Sequence, residues 1–369
     1  MTIQILDSIN SIKEASWNKL VHENDPFNDY HFHKALEDSN SIGQNKGFIP
    51  KYITITRGDE LVAAMAYYVK MHSYGEYIFD WAWADFYKKY GYDYYPKVVA
   101  QNPYSPITNR TFLYSDKSIL PQLTKAFLDI SKSTHFSSSH ILFLEKDEIG
   151  IIPDEFKIRS SFQYHWNNDG YESFDHFLST LKNKKKKQII KERSISGLQI
   201  KEIPKEELGK HTNTFYNFYL QTIDKKYSHA YLNEDFFTYL FKNMKENIVL
   251  FGAFNDKDDL VAAALYLKGK TKLYGRYWGS REKYKNLHFE LCYYQGIEYC
   301  IRNKIEVFEA GAQGEHKIQR GFTPTIIYSA HLIQDQQFKI PIYNFIDEES
   351  EQIRELLPEL SKKLPFKTS

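Results

Sequence analysis

Apolar residues recur at helical spacing over residues 29–39, 121–133, 206–222, 234–245 and 287–303, which predicts a helix in each segment. Runs rich in β-branched and aromatic residues separate them, at 51–80, 141–144, 247–254, 260–268, 272–278, 306–310 and 326–333. These read as strands, with 255–259 as a hairpin turn. Asn-Asn-Asp-Gly within 167–171 interrupts the pattern and marks a boundary. On each side of it the order is helix, strand meander, helix and closing strand.

The two sides also share words. Asp59-Glu-Leu-Val-Ala-Ala-Met-Ala-Tyr returns about 200 residues later as Asp258-Asp-Leu-Val-Ala-Ala-Ala-Leu-Tyr. Each copy is followed by Tyr-Gly-x-Tyr, at 74–77 and 274–277, and then by a tryptophan, Trp81 or Trp278. The order and spacing imply one α/β unit used twice, with domains at 1–168 and 169–369.

A chain of 369 residues is long enough for two cores. Its net charge of +1 argues against a dedicated nucleic-acid binder. An aromatic content of 16% suits strand-rich cores and amphipathic ligand grooves alike. The two cysteines, Cys292 and Cys300, make no disulfide framework and fit a reducing compartment. Without a signal-peptide core or a long apolar run, the expectation is a cytoplasmic protein, at most peripheral to the inner membrane. No Cys/His spacing suggests a metal, and no Walker-type loop suggests nucleotide hydrolysis.

Chemistry concentrates in residues 307–322, Val-Phe-Glu-Ala-Gly-Ala-Gln-Gly-Glu-His-Lys-Ile-Gln-Arg-Gly-Phe. Strand ends that run into Gly-rich, ionisable loops are where α/β proteins keep their sites. Arg276 and Trp278 alternate with Tyr277 and share one strand face. His288 and Cys292 are four apart on one expected helix face, with Glu290 pointing elsewhere. Cys292 reads as helix packing rather than a nucleophile. Residues 182–193, Lys-Asn-Lys-Lys-Lys-Lys-Gln-Ile-Ile-Lys-Glu-Arg, continue a helix from 174–181 and form the strong basic cluster. That cluster, from Lys182 to Arg193, suits either a solvated face, tRNA phosphates or an anionic membrane.

Several blocks carry a family resemblance. Lys-Met-His-Ser-Tyr-Gly-Glu-Tyr-Ile-Phe-Asp-Trp-Ala-Trp-Ala-Asp at 70–85, Tyr94-Tyr-Pro-Lys, 273–279, 288–296 and 309–317 resemble signature blocks of FemAB-like N-acyltransferases. That family carries a peptidoglycan biosynthesis or recognition label and is similar to bacterial ceramide synthases. The resemblance implies an α/β (α+β) fold of two pseudo-symmetric, tandem GNAT-like acyltransferase domains. It also implies acyl transfer to a primary amine. The expected donor is an acyl-CoA or acyl-carrier-protein thioester, with no tightly bound cofactor. The expected acceptor is a long-chain lipid amine, as in ceramide synthesis. The alternative is an aminoacyl-tRNA-dependent transferase acting on a cell-wall precursor, and a third reading is a non-catalytic binding module.

Such a reaction needs a base for the amine and a donor for the developing oxyanion. Glu309 and His316 are the first base candidates, with Glu315 next. Lys317 and Arg320 are candidates for the oxyanion or a donor phosphate. Expected substrate-binding residues are His72, Tyr74, Glu76, Asp80, Trp81, Trp83 and Asp85 in the first half. In the second half they are Arg276, Trp278, His288, Glu290 and Gln313. The segment 279–287 lacks the Gly-x-Gly pattern of a pyrophosphate loop, so no motif dictates coenzyme A.

Overall fold

The computed structural model describes residues 1–224, 229–312 and 314–367. Two compact units emerge: Met1–Phe162 with Ile326–Leu356, and Gln163–Thr325 with Leu357–Ser369.

In the first unit the strands lie in the order Thr2–Leu6, Phe48–Arg57, Glu60–Lys70, Lys97–Ala100, Ser138–Leu144 and Thr323–Ile333. Neighbours run antiparallel except Lys97–Ala100 against Ser138–Leu144, which are parallel. A parallel step needs a crossover, and helix Leu120–Ser131 supplies it. That helix buries Leu123 and Phe127 against Ile53, Val98 and Ile141. Helix Tyr30–Asp38 starts where the Asp29 carboxylate accepts from the His31 amide at 2.7 Å.

The second unit repeats this order with Gln199–Glu202, Ile248–Phe254, Leu260–Lys268, Lys272–Ser280, Val307–Glu309 and the end of Lys157–Asn167. Its parallel step joins Lys272–Ser280 to Val307–Glu309, and the crossover is the helical run from Leu287 to Asn303. The last strand of each sheet therefore comes from the other half of the sequence. The expected boundary at 168/169 supposed sequential halves. The chain instead passes between units at 162/163, 325/326 and 356/357, because each closing strand pairs in the sheet built mainly by the other half of the sequence.

The Leu-Val-Ala-Ala words occupy equivalent third strands, Glu60–Lys70 and Leu260–Lys268, both buried over most of their length. The Tyr-Gly-x-Tyr words do not correspond. Tyr274–Tyr277 lie within strand Lys272–Ser280, whereas 74–77 form a loop before Lys97–Ala100. That half of the repeat has no structural counterpart.

Two further elements differ from expectation. The basic segment is not a continuation of the preceding helix. Phe174–Thr180 ends at Leu181, whose backbone is extended, and Asn183–Arg193 starts afresh. The crossover at 287–303 is not one regular helix either, since Glu290–Tyr294 form a π-turn. The Tyr266 hydroxyl donates to the Leu291 carbonyl inside this turn. A side-chain donor entering the backbone ladder accounts for the widened turn.

Candidate functional site

The second unit gathers the chemistry beyond the C-terminal end of Val307–Glu309. Glu309 is buried there, in register with Tyr274 on one side and His165 on the other. His165 Nε2 lies 3.9 Å from the Glu309 carboxylate. Burial drives the His165 pKa down to about 3, so this imidazole is neutral and the contact is no ion pair at physiological pH.

The chain then turns through Gly311 and Gly314, both at positive φ, into the tight helical turn Glu315–Arg320. His316 is solvent-accessible, and its Nε2 sits 2.9 Å from the Tyr293 hydroxyl, on the π-turn. A Cβ on residue 314 would lie 2.5 Å from His316 Cε1 and 3.0 Å from Nδ1. Glycine at 314 therefore keeps that edge of the imidazole uncovered. Partial burial, reinforced by Arg320 and then Lys317, lowers the His316 pKa and keeps the ring neutral. His288 stands 6.5 Å from His316, ring to ring, and 4.8 Å from Trp278.

Lys317 is buried with its ammonium donating to the Gly311 carbonyl at 2.5 Å. Burial lowers its pKa to about 7, so it exchanges its proton near neutrality. Arg320 is also buried, 3.6 Å above the Phe289 ring, and donates to the His316 carbonyl and to Glu192, each at 2.8 Å. These contacts hold it within the loop. Glu315 is exposed. Glu290 is buried and receives a two-pronged bond from Arg193, both prongs at 3.1 Å, along with Gln295 at 2.6 Å. Arg276 lies over the Tyr277 ring at 5.0 Å. Gln313 lies outside the described residues.

The first-unit candidates separate into a surface and an interior. Tyr74 and Trp81 are exposed and meet edge to face at 4.9 Å, with His72 beside Tyr74 at 5.3 Å. Asp85 is exposed on helix Trp81–Lys89. Trp83 is buried, packed against His331 at 5.1 Å and under Arg159 at 5.2 Å. Glu76 and Asp80 are buried on Lys97, which donates to Glu76 at 2.7 Å, to Ser73 at 2.9 Å and to Asp80. Burial opposes the charge of Lys97, yet Asp80 and Glu76 hold its pKa above the ordinary lysine value. Tyr94 donates to Asp80 at 2.7 Å, and His140 bonds His331 ring to ring at 2.8 Å. Lys70 donates to the Tyr74 carbonyl at 2.8 Å and lies 3.5 Å from the Phe48 ring centre. Glu76 and Asp80, expected to bind substrate, thus lie in an interior ionic network, with Tyr74 and Trp81 exposed outside it.

Sequence reasoning did not single out Tyr293, Glu192, His165, Lys70, Lys97, His140 or His331. Lys70 and Lys97 open and close two of the quoted signature blocks, which was the available signal. Nothing in the strand period distinguishes a buried lysine from an exposed one. Among the described residues, no three His, Cys, Asp or Glu side chains are grouped to hold a metal ion. No helix among them is long and apolar enough to cross a membrane.

A family model described as FemAB-like, peptidoglycan biosynthesis or recognition, matches residues 8–368. The chain belongs to the FemAB-like family. Membership makes it a transferase of the N-acyl class, acting on an amine. Its fold is similar to that of FemX, at 12% identity, with 93% of this chain and 99% of that one covered and a TM-score of 0.53. A conserved protein of unknown function from Bacteroides thetaiotaomicron is similar at 12% identity, 89% and 99% coverage and a TM-score of 0.50. These likenesses establish the mixed α/β fold expected from the sequence. No curated protein matches the FemAB-like chain in sequence.

Proposed function

We propose that this FemAB-like protein transfers an aminoacyl group from a tRNA ester to an amine of a cell-wall precursor, with the His316 loop as its reaction centre. The observation that carries the proposal is the pairing of an uncovered, neutral imidazole with a buried ammonium on consecutive residues. The incoming amine forms a bond to the ester carbonyl carbon while its proton passes to His316 Nδ1. Tyr293, whose own pKa burial raises, holds the opposite ring nitrogen. Lys317 supplies positive charge for the carbonyl oxygen as it becomes negative. Collapse breaks the carbon–oxygen bond of the ester, and His316 returns the proton to the departing ribose oxygen. Buried Glu309, at the strand end behind the loop, is the alternative proton acceptor.

The lysine-rich helix Asn183–Arg193 supports a polyphosphate donor. Lys184, Lys187 and Lys191 are exposed on it and have no ion-pair partner among the described residues. Phosphate contacts of this kind set affinity without reading sequence. The long-chain lipid amine expected first from the sequence finds no support in the family's description, which speaks of peptidoglycan. Incubating purified protein with charged tRNA and an amine-bearing peptidoglycan precursor should add one aminoacyl residue, read by mass spectrometry. Transfer from acyl-CoA to a long-chain amine instead, with the precursor untouched, would restore the lipid reading.

A further inference from the structure

Glu192 has no place in the reaction above, yet it ties the lysine-rich helix to the His316 loop through Arg320. It lies at the end of Asn183–Arg193 and is buried, which is unusual for a glutamate in so polar a helix. One carboxylate oxygen accepts from Arg320 at 2.8 Å and from the Tyr294 hydroxyl. The other accepts from Gln188 at 2.8 Å. Arg320 spends its remaining terminal nitrogen on the His316 carbonyl at 2.8 Å and stacks its guanidinium on Phe289. A continuous path therefore runs from Glu192 through Arg320 to the backbone of His316. Tyr294, in the π-turn that presents Tyr293 to the imidazole, and Phe289, just before that turn, flank it.

We propose that Glu192 is the positioning residue of the His316 loop, holding Arg320, and through it the His316 backbone, so that the imidazole faces outward. This rests on His316 being the base of the proposed transfer. Without the carboxylate, Arg320 would be a buried cation with an aromatic ring and a carbonyl for company, which is costly enough to move it. The loop it clamps would move with it. The neighbouring Arg193 makes the same kind of anchor one residue on, through Glu290 in the π-turn, so the helix end is fixed at two points.

Groups acting on His316 come from three elements. Arg320 and Lys317 lie on its own loop, Glu192 on the lysine-rich helix, and His288 and Tyr293 on the crossover run. Arg320 and Lys317 disfavour the imidazolium, whereas Glu192 favours it. Opposite substitutions should therefore move its titration in opposite directions. In histidine-labelled protein followed by NMR, with His316 assigned from the spectrum of His316→Gln, Glu192→Gln should lower the titration midpoint of His316. Arg320→Gln should raise it, and Glu192→Asp should restore most of the wild-type value. In transfer assays Glu192→Asp should lower kcat about tenfold with KM unchanged, as misplacement of a reacting group does.

A midpoint unchanged in folded Glu192→Gln would overturn the proposal, as would a parallel shift of every histidine. Should Glu192→Gln fail to fold, a His316 midpoint unmoved in Arg320→Gln or Glu192→Asp would overturn it as well. The titration needs no substrate. If no protein transferred an aminoacyl group but the opposed shifts appeared, the reaction assigned above would fail and the positioning role would stand.

Discussion

His316 and Lys317 are adjacent in sequence but face different surroundings, and their rate profile should show it. The imidazole titrates below the ordinary value of 6.5, so the base is available once the pH exceeds that lowered value. Lys317 carries its proton only below about 7, so its charge is lost as the pH rises further. The transfer rate should therefore be bell-shaped, with an alkaline limb near 7 that Lys317→Arg moves far upward. An alkaline limb still near 7 in folded Lys317→Arg would remove Lys317 from the oxyanion role.

Lys70 makes a separate prediction about stability. Burial lowers its pKa to about 7 in the folded chain from 10.5 unfolded, so between those values the unfolded chain binds more protons. Stability from this group rises with pH across that window. Glu76 has the reverse sign, raised by burial from 4.5 to about 7, and its contribution falls as the pH climbs between those values. Urea denaturation should show wild type gaining stability relative to Lys70→Met as the pH rises from about 7 to about 9.5. Parallel curves for the two proteins would refute the assignment.

At the scale of elements, glycine governs how closely helices approach the second sheet. A Cβ on Gly279 would lie 2.1 Å from the Phe218 carbonyl oxygen of helix Thr212–Asp224, a backbone atom that cannot rotate away. Gly279→Ala should cost about 2–3 kcal/mol by chemical denaturation, as overpacking does. Gly209→Ala, with nothing within 4 Å, should change stability by less than about 0.5 kcal/mol. Equal effects would mean that helix Thr212–Asp224 does not sit where described.

Element identity was largely legible in the sequence, since most helices and strands predicted from periodicity have counterparts within a few residues, although the strand run expected over 51–80 ends at Lys70. The 212–224 and 234–243 helices and the 248–254, 260–268 and 272–280 strands are examples. Three features were hidden, each for a physical reason. The break at Leu181 is a backbone change inside an uninterrupted helical composition. The π-turn depends on a hydroxyl from Tyr266, remote in sequence. Pairing of Glu192 with Arg320 spans 128 residues and leaves no periodic trace. The candidate loop itself was visible, because charges and glycines crowd one strand end; what Arg320 does there was not.

On the scale of the whole molecule, the exchanged closing strands matter most. A sequence cut at 168/169 would leave Ser138–Leu144 without its antiparallel neighbour and bury His140 without His331. A fragment of residues 1–168 is expected to expose that strand edge, aggregate and show no cooperative unfolding. A monomeric fragment that unfolds cooperatively would show that the first unit does not depend on 326–356.

Amine aminoacylation at the His316 loop is tested most directly by one comparison. Wild-type protein and His316→Gln would be given the same charged tRNA and amine-bearing precursor under single-turnover conditions, with the amide product quantified by mass spectrometry. The account predicts transfer by wild type and a loss of about 10²-fold or more in folded His316→Gln, the size expected for removal of a general base. Equal single-turnover rates in the two proteins would contradict it and place the chemistry elsewhere in the chain.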